Sequence, residues 1–308
     1  MFSIVEKRHW YFLISALIII PGLIAMAYCW ATFGAPLRLG IDFTGGSLLE
    51  MRFDNPVQPA QVREVLVDYG FDGSTVQTVD ETTILVRSKE MDPAVKVEIE
   101  QALTERYGPL TELRFETVGP TVGAEVTKAA LWAVAAAAVL IIGYLVLAFR
   151  KVPNAFRYGV CAVIAMLHDI LVTLGLFSIA SIFLGWEADA LFLTALLTVV
   201  SFSVQDTIVV FDRIRENIPK RRGESYETVV NRSLLETLHR SLATQLNAIF
   251  VLIALLLFGG ATTRQFVTVL LVGMISGTYS SLFNAVPLLV VWETGKVVGQ
   301  PRKAKATA

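Results

Sequence analysis

Six apolar stretches dominate this 308-residue chain. A helix needs about 20 apolar residues to cross the hydrocarbon core of a bilayer, and each stretch is long enough to do so. Hydrophobic residues make up 54% of the sequence and the mean hydropathy is +0.60, which is too apolar for one soluble core covered by charge. We therefore predict an integral membrane protein. The stretches are roughly Trp10 to Trp30, Ala130 to Phe149, Tyr158 to Leu184, Leu191 to Phe211, Ser241 to Phe258 and Phe266 to Val291.

The distribution of lysine and arginine among the connections predicts the orientation of the spans. Flanks rich in these residues favour the cytoplasm, and here they precede span one, follow spans two and four, and end the chain. Both termini are therefore expected in the cytoplasm. The first span is too long, and lacks the small-residue cleavage site, to be a removable signal peptide, so we expect a retained anchor. The basic flanking residues are Lys7, Arg8, Arg150, Lys151, Arg157, Arg213, Arg215, Lys220, Arg221, Arg222, Arg232, Arg302, Lys303 and Lys305.

This layout predicts four segments. They are an N-terminal segment with the first span at 1–31, an external domain at 32–128, spans two to six at 129–295, and a basic cytoplasmic tail at 296–308. The external segment carries 9 lysine and arginine residues against 16 aspartate and glutamate residues, which suits the outer side of a membrane. It has no histidine and no cysteine, so the usual nucleophile and base pairings are missing. We expect it to contact a partner, with a purely structural lid as the alternative.

The periodicity of this external segment switches between two and 3.6 residues, which indicates strands and helices in turn. Leu49, Met51 and Phe53 alternate with charged residues as in a half-buried strand, and Asp92 with Pro93 forms a typical helix cap and first position. The resulting order, β-α-β-β-α-β, is typical of the ferredoxin-like fold. The predicted elements are strand Ser47 to Phe53, helix Pro59 to Tyr69 with Tyr69 on its apolar face, strands Ser74 to Val79 and Thr83 to Arg87, helix Pro93 to Tyr107, and strand Glu112 to Val118.

An aspartate, Asp206, interrupts the fourth apolar run. A carboxylate within the bilayer costs on the order of 3 kcal/mol unless it is paired, neutralised or hydrated, so chains rarely keep one without a use. Arg240, near the start of span five, is the natural partner, on a face that it shares with Thr244 and Asn247. A nearby guanidinium favours the ionised carboxylate, whereas desolvation favours the protonated one. Alternation between these environments would load and release a proton; the alternative is a polar contact between helices.

A second polar pair, His168 and Asp169, lies about ten residues into span three, near the middle of the bilayer at about 1.5 Å per residue. The pair could approach Asp206 if spans three and four are neighbours. A hydrogen-bonded packing role is the alternative for the histidine, and no metal site is expected because no second His or Cys lies nearby in sequence. Two membrane aspartates also occur in intramembrane aspartyl proteases, but a large domain after the first of six spans fits that class poorly.

The glycine-containing segments predict packing rather than nucleotide binding. The segment Gly40 to Gly46, GIDFTGG, lacks the Lys-Ser/Thr that closes a P-loop, so an ATPase is not expected and any driving energy should come from an ion gradient. Cys29 and Cys161 lie in apolar runs and are expected to be packing residues; no cofactor is predicted. One side of span six carries small residues that let helices approach closely and slide, or simply pack. These residues are Gly273, Ser276, Gly277, Ser280 and Asn284.

Five motifs, in the right order over essentially the whole chain, resemble the SecF family. SecF is the membrane subunit that partners SecD in the accessory complex of bacterial protein secretion. The motifs are LGIDFTGG at Leu39 to Gly46, which includes Gly40, Asp42, Gly45 and Gly46, VGPTVGAEV at Val118 to Val126, the pair His168-Asp169, QDTIVVFDRIREN at Gln205 to Asn217, and TLHRSLATQ into LLLFGG at Thr237 to Gly260.

The resemblance implies a fold and a function. SecD and SecF each resemble half of a resistance-nodulation-division transporter, with six transmembrane helices and an external domain after the first. A member of this family would be a non-enzymatic subunit of the bacterial inner membrane, with its external domain in the periplasm. With SecD it would use the proton motive force to promote late steps of preprotein translocation through SecYEG, after the SecA ATPase has acted. YajC and YidC are further partners implied by the family, and no nucleic acid is expected.

The resemblance also implies which residues conduct protons. Matched position by position, the aspartate of the DTIVVFDR motif is Asp206 and the arginine of the HR(S/T)L stretch is Arg240. Many family members carry Asn-Asp where this chain has Gln205-Asp206, which leaves the role of Gln205 open. The expected proton pathway comprises Asp206, Arg240, His168, Asp169, Gln205 and Thr207.

Half of a proton-coupled small-molecule exporter is the main alternative. That class needs a much larger external insertion to build a drug-binding pocket and a docking surface, whereas about 97 residues at 32–128 is slightly below the usual domain size of about 100 to 150 residues. A lipid or sterol carrier is a weaker alternative, which a hydrophobic cavity among the spans would favour. In either case a six-span half leaves polar interior faces that call for a partner of similar size.

Overall fold

The computed structural model describes residues 3–150, 154–221 and 223–297, apart from the side chains at 261 and 262. Six helices among these residues are long and apolar enough to cross a membrane, which confirms the predicted number. Lys151, Arg222 and residues 298–308, on which part of the orientation prediction depends, lie outside the described residues. The candidate spans are Val5–Phe33, Pro120–Ala148, Ala155–Leu184, Ala190–Lys220, Tyr226–Phe258 and Thr263–Thr294.

Contacts divide the chain into two compact units. An α+β unit runs from Leu39 to Trp132, and a membrane unit comprises the residues up to Arg38 and from Ala133 onward. The elements in chain order are a 3-10 turn at Val5–Lys7, α1 (Arg8–Phe33), α2 (Ile41–Thr44), β1 (Gly46–Phe53), α3 (Pro59–Asp68), β2 (Thr75–Thr78), β3 (Thr83–Ser88), α4 (Pro93–Tyr107), β4 (Leu110–Val118), α5 (Pro120–Ala148), α6 (Ala155–Leu184), α7 (Ala190–Lys220), α8 (Tyr226–Phe258), α9 (Ala261–Ser280), a π-helical turn at Ser281–Ala285 and α10 (Val286–Thr294).

The four strands of the α+β unit form one antiparallel sheet in the order β2-β3-β1-β4. This order, with α3 and α4 between strands, confirms the predicted ferredoxin-like β-α-β-β-α-β fold. The predicted cap of α4 is confirmed too, since the Asp92 carboxylate accepts a hydrogen bond from the Ala94 backbone N–H at 2.8 Å. Local sequence signals therefore fix the elements of this unit well.

The core of the α+β unit lies between the sheet and the two helices. Leu49, Met51 and Phe53 alternate into it and are each at most 1% exposed, as predicted. Tyr69 is different: predicted on the buried face of α3, it is 37% exposed. The helix ends one residue earlier and Gly70 turns the chain with φ of 80°, so Tyr69 does not follow the helical face.

The centre of the membrane unit is formed by α6, α7 and the sixth span, Thr263–Thr294. The apolar windows of these three spans are 61%, 50% and 56% buried, whereas that of α5 is only 6% buried. Helix α1 crosses α6 where Gly22 meets Gly175, so closely that a Cβ atom added at Gly22 would lie 2.7 Å from the Cα atom of Gly175. Cys29 packs beside this crossing and, like Cys161, is a buried free thiol.

Three membrane helices extend well beyond the apolar stretches predicted from hydropathy, and one of them, α5, begins at Pro120 rather than near Ala130. The predicted end of span four, Phe211, and the predicted start of span five, Ser241, both fall short, because α7 and α8 continue as polar helices. These extensions contact each other; for example, the Asn217 side-chain amide donates to the Ser233 hydroxyl at 2.9 Å. Hydropathy cannot detect such turns because contacts between helices stabilise them.

Candidate functional site

Asp206 lies near the middle of α7, buried against α8 with 5% of its surface exposed. Its Oδ2 atom accepts a hydrogen bond from Nε2 of Gln245 at 2.9 Å. The Oε1 atom of Gln245 and the hydroxyl of Ser241 are buried on the same face of α8 without a hydrogen-bond partner among the described residues. The Ser241 hydroxyl faces Asp206 but falls short of hydrogen-bond geometry. Buried polar atoms without partners are rare. These two atoms therefore leave this face of α8 able to form further hydrogen bonds beside the Asp206 carboxylate.

Arg240 lies on an exposed face of α8. It makes no ion pair with Asp206 within the described part of the chain, although its charge acts on that carboxylate. Thr244 and Asn247, predicted on the same face, are exposed as well. The direct contact with Asp206 comes instead from Gln245, which the sequence patterns did not single out.

A regular spacing in α8 could have identified Gln245. Ser233, Thr237, Ser241 and Gln245 follow one another at intervals of four, and each is at most 8% exposed. Residues with this spacing lie on one helical face. The buried polar face of α8 is therefore adjacent to the exposed face that carries Arg240.

The second predicted pair, His168 and Asp169, lies on α6 in a dense hydrogen-bond cluster. Asp169 is fully buried. Its carboxylate accepts hydrogen bonds from the hydroxyls of Ser203 at 2.5 Å, Ser280 at 2.5 Å and Ser276 at 2.7 Å. The Nδ1 atom of His168 lies 3.0 Å from its Oδ1 atom. One carboxylate thus joins α6, α7 and α9.

Helix α7 connects this cluster to Asp206. Ser203 lies about one turn before Asp206, and its carbonyl oxygen accepts a hydrogen bond from the Thr207 hydroxyl at 3.1 Å. Spans three and four are therefore neighbours, which is the condition for the His168–Asp169 pair to approach Asp206. Gln205 points elsewhere: it is exposed and, with Ser201, lines a groove of about 690 Å³ between α5 and α7.

The small-residue face of span six packs directly on α7. A Cβ atom added at Gly273 would lie 2.1 Å from Cγ2 of Val199, and one added at Gly277 would lie 3.3 Å from the α7 backbone. Asn284, in the π-helical turn, accepts a hydrogen bond from the Ser15 hydroxyl of α1 at 3.0 Å. π-helical turns are rare and frequently occur at functional sites. Span six therefore contacts α7 and α1 through the residues that its sequence singled out.

The glycine motif of the α+β unit contacts the first turn of α5. Gly45 has a φ of 72°, and a Cβ atom there would lie 2.7 Å from Cα of Pro120. A Cβ atom at Gly123 would lie 2.8 Å from the Gly45 nitrogen and 2.9 Å from the Phe43 oxygen. Two of the sequence motifs thus meet backbone to backbone, in a contact that we call the glycine clasp (Phe43, Gly45, Pro120 and Gly123). Of the other residues of the motif, Gly40 caps the start of α2, Asp42 lies within α2, and Gly46 is the first residue of β1.

Two family models match this chain. Residues 98–295 match the model of the protein export membrane protein SecD/SecF, C-terminal, and residues 30–57 match the SecD/SecF GG motif. The protein translocase subunit SecF of Anaerolinea thermophila is 50% identical over 96% of this chain and 96% of its own length. The chain belongs to the SecF family. Other members, from Thermobaculum terrenum and Synechocystis, are 49% and 36% identical over 95% and 93% of this chain and 94% and 92% of their own lengths.

Solved structures share the fold of this SecF-family chain. The crystal structure of SecDF, a translocon-associated membrane protein from Thermus thermophilus, matches with a TM-score of 0.78 and 32% identity over 95% of this chain. The chain spans 38% of that longer chain. A super-membrane-facing form of SecDF matches with a TM-score of 0.66 and 31% identity over 96% of this chain and 39% of that one. The protein is thus a multi-pass membrane protein of the resistance-nodulation-division type with a role in protein translocation, consistent with a non-enzymatic subunit.

Proposed function

We propose that the protein acts with SecD to promote late steps of preprotein translocation, driven by the proton motive force. The observation that carries this proposal is Asp206, a buried membrane carboxylate with a single described donor, Gln245, and unpartnered polar atoms beside it. Intramembrane carboxylates of this kind are typical of proton relays. The substrate class, preproteins that leave the SecYEG channel, is supported by the named role of the relatives in protein translocation.

In this proposal Asp206 carries the proton and Arg240 is its switchable partner. Gln245 holds the carboxylate in the present arrangement, while Arg240 stands on the adjacent face without an ion pair. A movement between α7 and α8 that brings the guanidinium closer favours release of the proton, and separation favours its uptake. Gln205, Thr207, His168 and Asp169 are the further residues of the proposed pathway, as proton carriers or as residues that position the carrier.

The proposed partner, SecD, covers the faces that this chain leaves exposed. Gln205 and Arg240 are exposed polar residues on membrane helices, and lipid offers them no hydrogen-bond partners. Half-transporters bury such faces against a second half related by a pseudo-twofold axis. The likeness to SecDF, in which the match covers 38% of the longer chain, supports a partner of this kind. SecYEG, YajC and YidC are further proposed partners from the family resemblance.

The proposed location is the bacterial inner membrane, with both termini in the cytoplasm. Connections rich in lysine and arginine alternate along the chain with connections that contain few of these residues, which supports this orientation. The α+β unit then lies on the periplasmic side, where it contacts the emerging preprotein or the larger domain of SecD.

The substitution Asp206→Asn tests the proposal, because it keeps the shape of the side chain and removes the titratable proton. Preprotein release is measured in vesicles that contain the chain with SecD, with and without a proton gradient. We expect the gradient-dependent part to disappear. Asp212→Asn is the matched control, since this carboxylate lies on the same helix, is 45% exposed and pairs with Arg215. A full response to the gradient in Asp206→Asn contradicts the proposal.

A further inference from the structure

The membrane helices bury two carboxylates that differ in how completely they are hydrogen bonded. Within the described part of the chain, Asp206 accepts one hydrogen bond, from Gln245 at 2.9 Å. Asp169 accepts three from serine hydroxyls, and a ring nitrogen of His168 lies 3.0 Å away. Such a difference in surroundings separates the roles that two carboxyl groups can take.

Each oxygen of the Asp169 carboxylate has two polar neighbours within hydrogen-bond distance. Oδ1 contacts Ser276 Oγ and His168 Nδ1, and Oδ2 contacts Ser203 Oγ and Ser280 Oγ. A carboxylate offers about four acceptor sites, so an added proton has to displace one of these contacts. The three serine bonds, at 2.5 to 2.7 Å, come from α7 and α9.

These contacts lie beside the proposed proton carrier. Ser203 is about one turn before Asp206, and its carbonyl oxygen holds the Thr207 hydroxyl at 3.1 Å. Helix α9 presses on α7 at the same level, where a Cβ atom at Gly277 would lie 3.3 Å from Cα of Ser203 and 3.7 Å from Oδ2 of Asp169. The position of α7 at the depth of Asp206 therefore depends on this contact, which we call the Asp169 clamp (Asp169, Ser203, Ser276 and Ser280).

We infer that Asp169 is a positioning residue. Its carboxylate holds α7 through Ser203 and α9 through two further serines, so that Asp206 faces Gln245, and it does not itself carry the transported proton. This inference rests on the proposed function, in which Asp206 is the carrier. It gives different roles to Asp169 and Asp206, which the sequence analysis places together in one proton pathway.

Serine variants separate positioning from proton carriage because they leave the Asp169 carboxylate intact. We expect Ser203→Ala to lower gradient-dependent preprotein release about tenfold, because α7 loses one buried hydrogen bond and Asp206 is no longer held against Gln245, and Asp169→Asn to lower it at least as much. The double variant should be no worse than Asp169→Asn alone, because both changes act through one contact. Should Ser203→Ala fail to accumulate, Ser276→Ala takes its place.

Thr173→Val is the matched control. The Thr173 hydroxyl is buried beside Asp169 and donates to its backbone carbonyl at 2.8 Å, not to its carboxylate. We expect this variant to release preprotein like the unmodified chain. Unchanged release in Ser203→Ala, or additive losses in the double variant, would overturn the inference.

Infrared difference spectra of the chain reconstituted with SecD report which carboxyl group takes up a proton. A loss of packing alone does not remove a carboxyl band from these spectra. A carboxyl group that takes up a proton gains its own C=O stretching band. We expect the band that disappears in Asp206→Asn to persist at a shifted frequency in Asp169→Asn and Ser203→Ala, and to stay unchanged in Thr173→Val. Disappearance of a carboxyl band in Asp169→Asn would mean that Asp169 carries a proton, against the inference.

Thermal unfolding of the full chain distinguishes failure of this inference from failure of the proposed function. If Asp206→Asn still responds fully to the gradient, the proposed function is wrong, but the Asp169 clamp can still be tested. The clamp predicts that Asp169→Asn and Ser203→Ala lower the unfolding temperature non-additively, and by more than Asp206→Asn and Thr173→Val do. Equal unfolding temperatures in all four variants would exclude the clamp whatever the release assay gives.

Discussion

At the scale of a single residue, Gly273 sets the distance between α9 and α7. A Cβ atom added there would lie 2.1 Å from Cγ2 and 2.9 Å from Cβ of Val199, too close for a rotamer change to relieve. We expect Gly273→Ala to destabilise the chain by about 1–3 kcal/mol, as overpacking of a core does. Gly143→Ala on α5 is the control, because its added Cβ meets no heavy atom of the described residues within 4 Å apart from its chain neighbours and the backbone of its own helix. Thermal unfolding in detergent measures both, and equal stability would contradict the close contact.

Asp80 gives the α+β unit a pH-dependent contribution to stability. Its carboxylate accepts hydrogen bonds from the backbone N–H groups of Thr82 at 3.0 Å and Thr83 at 2.8 Å, in the turn between β2 and β3. The Thr82 bond in particular holds the pKa of Asp80 below its ordinary value. A lowered acid pKa stabilises the fold above the unfolded-state pKa, about 3.9, and this contribution is lost as the pH falls through the folded-state pKa.

We expect the difference in unfolding temperature between Asp80→Ala and the unmodified chain to disappear in acid. Asp80→Ala should unfold at a lower temperature than the unmodified chain at neutral pH, and the difference should shrink as the pH falls from the unfolded-state pKa through the folded-state pKa of Asp80. Circular dichroism of the full chain during heating measures this. Asp80→Asn, which keeps an acceptor oxygen without a titratable proton, is the control. A gap that stays constant with pH would mean that ionisation of Asp80 does not matter.

Single residues also mark what the sequence can and cannot predict about the site. Asp206 is found easily, because a charge within an apolar run is costly in a bilayer and stands out from its neighbours. Gln245 is harder to find, because its only signal is the interval of four that it shares with other polar residues of α8, and this spacing alone does not say which face of the helix is buried. The tertiary contacts select Ser241 and Gln245 as that face, adjacent to the one that carries Arg240.

At the scale of elements, the glycine clasp joins the segment before β1 to the first turn of α5. Gly123→Ala would place a Cβ atom 2.8 Å from the Gly45 nitrogen and 2.9 Å from the Phe43 oxygen, and backbone atoms cannot rotate away. We expect this variant to open the clasp and to speed hydrogen exchange of the amides from Phe43 to Gly46. Gly73→Ala, whose Cβ meets no atom within 4 Å, is the control. Equal exchange in both variants would contradict the clasp.

Element lengths show where periodicity and hydropathy stop being informative. In the α+β unit the predicted strands and helices agree closely with the structure, because each has its own alternation and caps. In the membrane unit α7 and α8 continue as polar helices past the apolar stretches that end at Phe211 and begin at Ser241, since their polar ends are stabilised by each other, as in the bond between Asn217 and Ser233. Hydropathy reports burial in lipid, not this kind of contact.

At the scale of the whole molecule, the sequence predicts six spans and one inserted α+β domain but not which spans are neighbours. Neighbours depend on pairs of residues far apart in sequence, such as Gly22 with Gly175 or Asp169 with Ser280. Each member of such a pair looks like an ordinary packing residue by itself. The structure adds the arrangement of the spans, and with it the separate surroundings of the two buried carboxylates.

Arg8 joins the two ends of the membrane unit, and its sequence position gives no hint of this role beyond a positive flank. The side chain is fully buried. It donates to the carbonyl oxygens of Lys296 at 2.7 Å and Val297 at 3.1 Å, and pairs with Glu227 at 3.1 Å. A guanidinium has five N–H donors in a planar fork, whereas a lysine ammonium has three at one point. Lysine at this position could not donate to all of these acceptors at once.

We therefore expect Arg8→Lys to destabilise the full chain by at least about 1.5–3 kcal/mol, the contribution of one hydrogen bond to a charged group. Arg157→Lys is the matched control: Arg157 pairs with Glu293 at 2.9 Å but is 31% exposed, and exposed pairs contribute about 0–1 kcal/mol. Chemical unfolding in detergent compares the two, and faster hydrogen exchange at Lys296 and Val297 in Arg8→Lys alone would locate the loss. If both substitutions cost the same, Arg8 is an ordinary flanking charge and the chain ends are held together by the apolar contacts of α1 and α10.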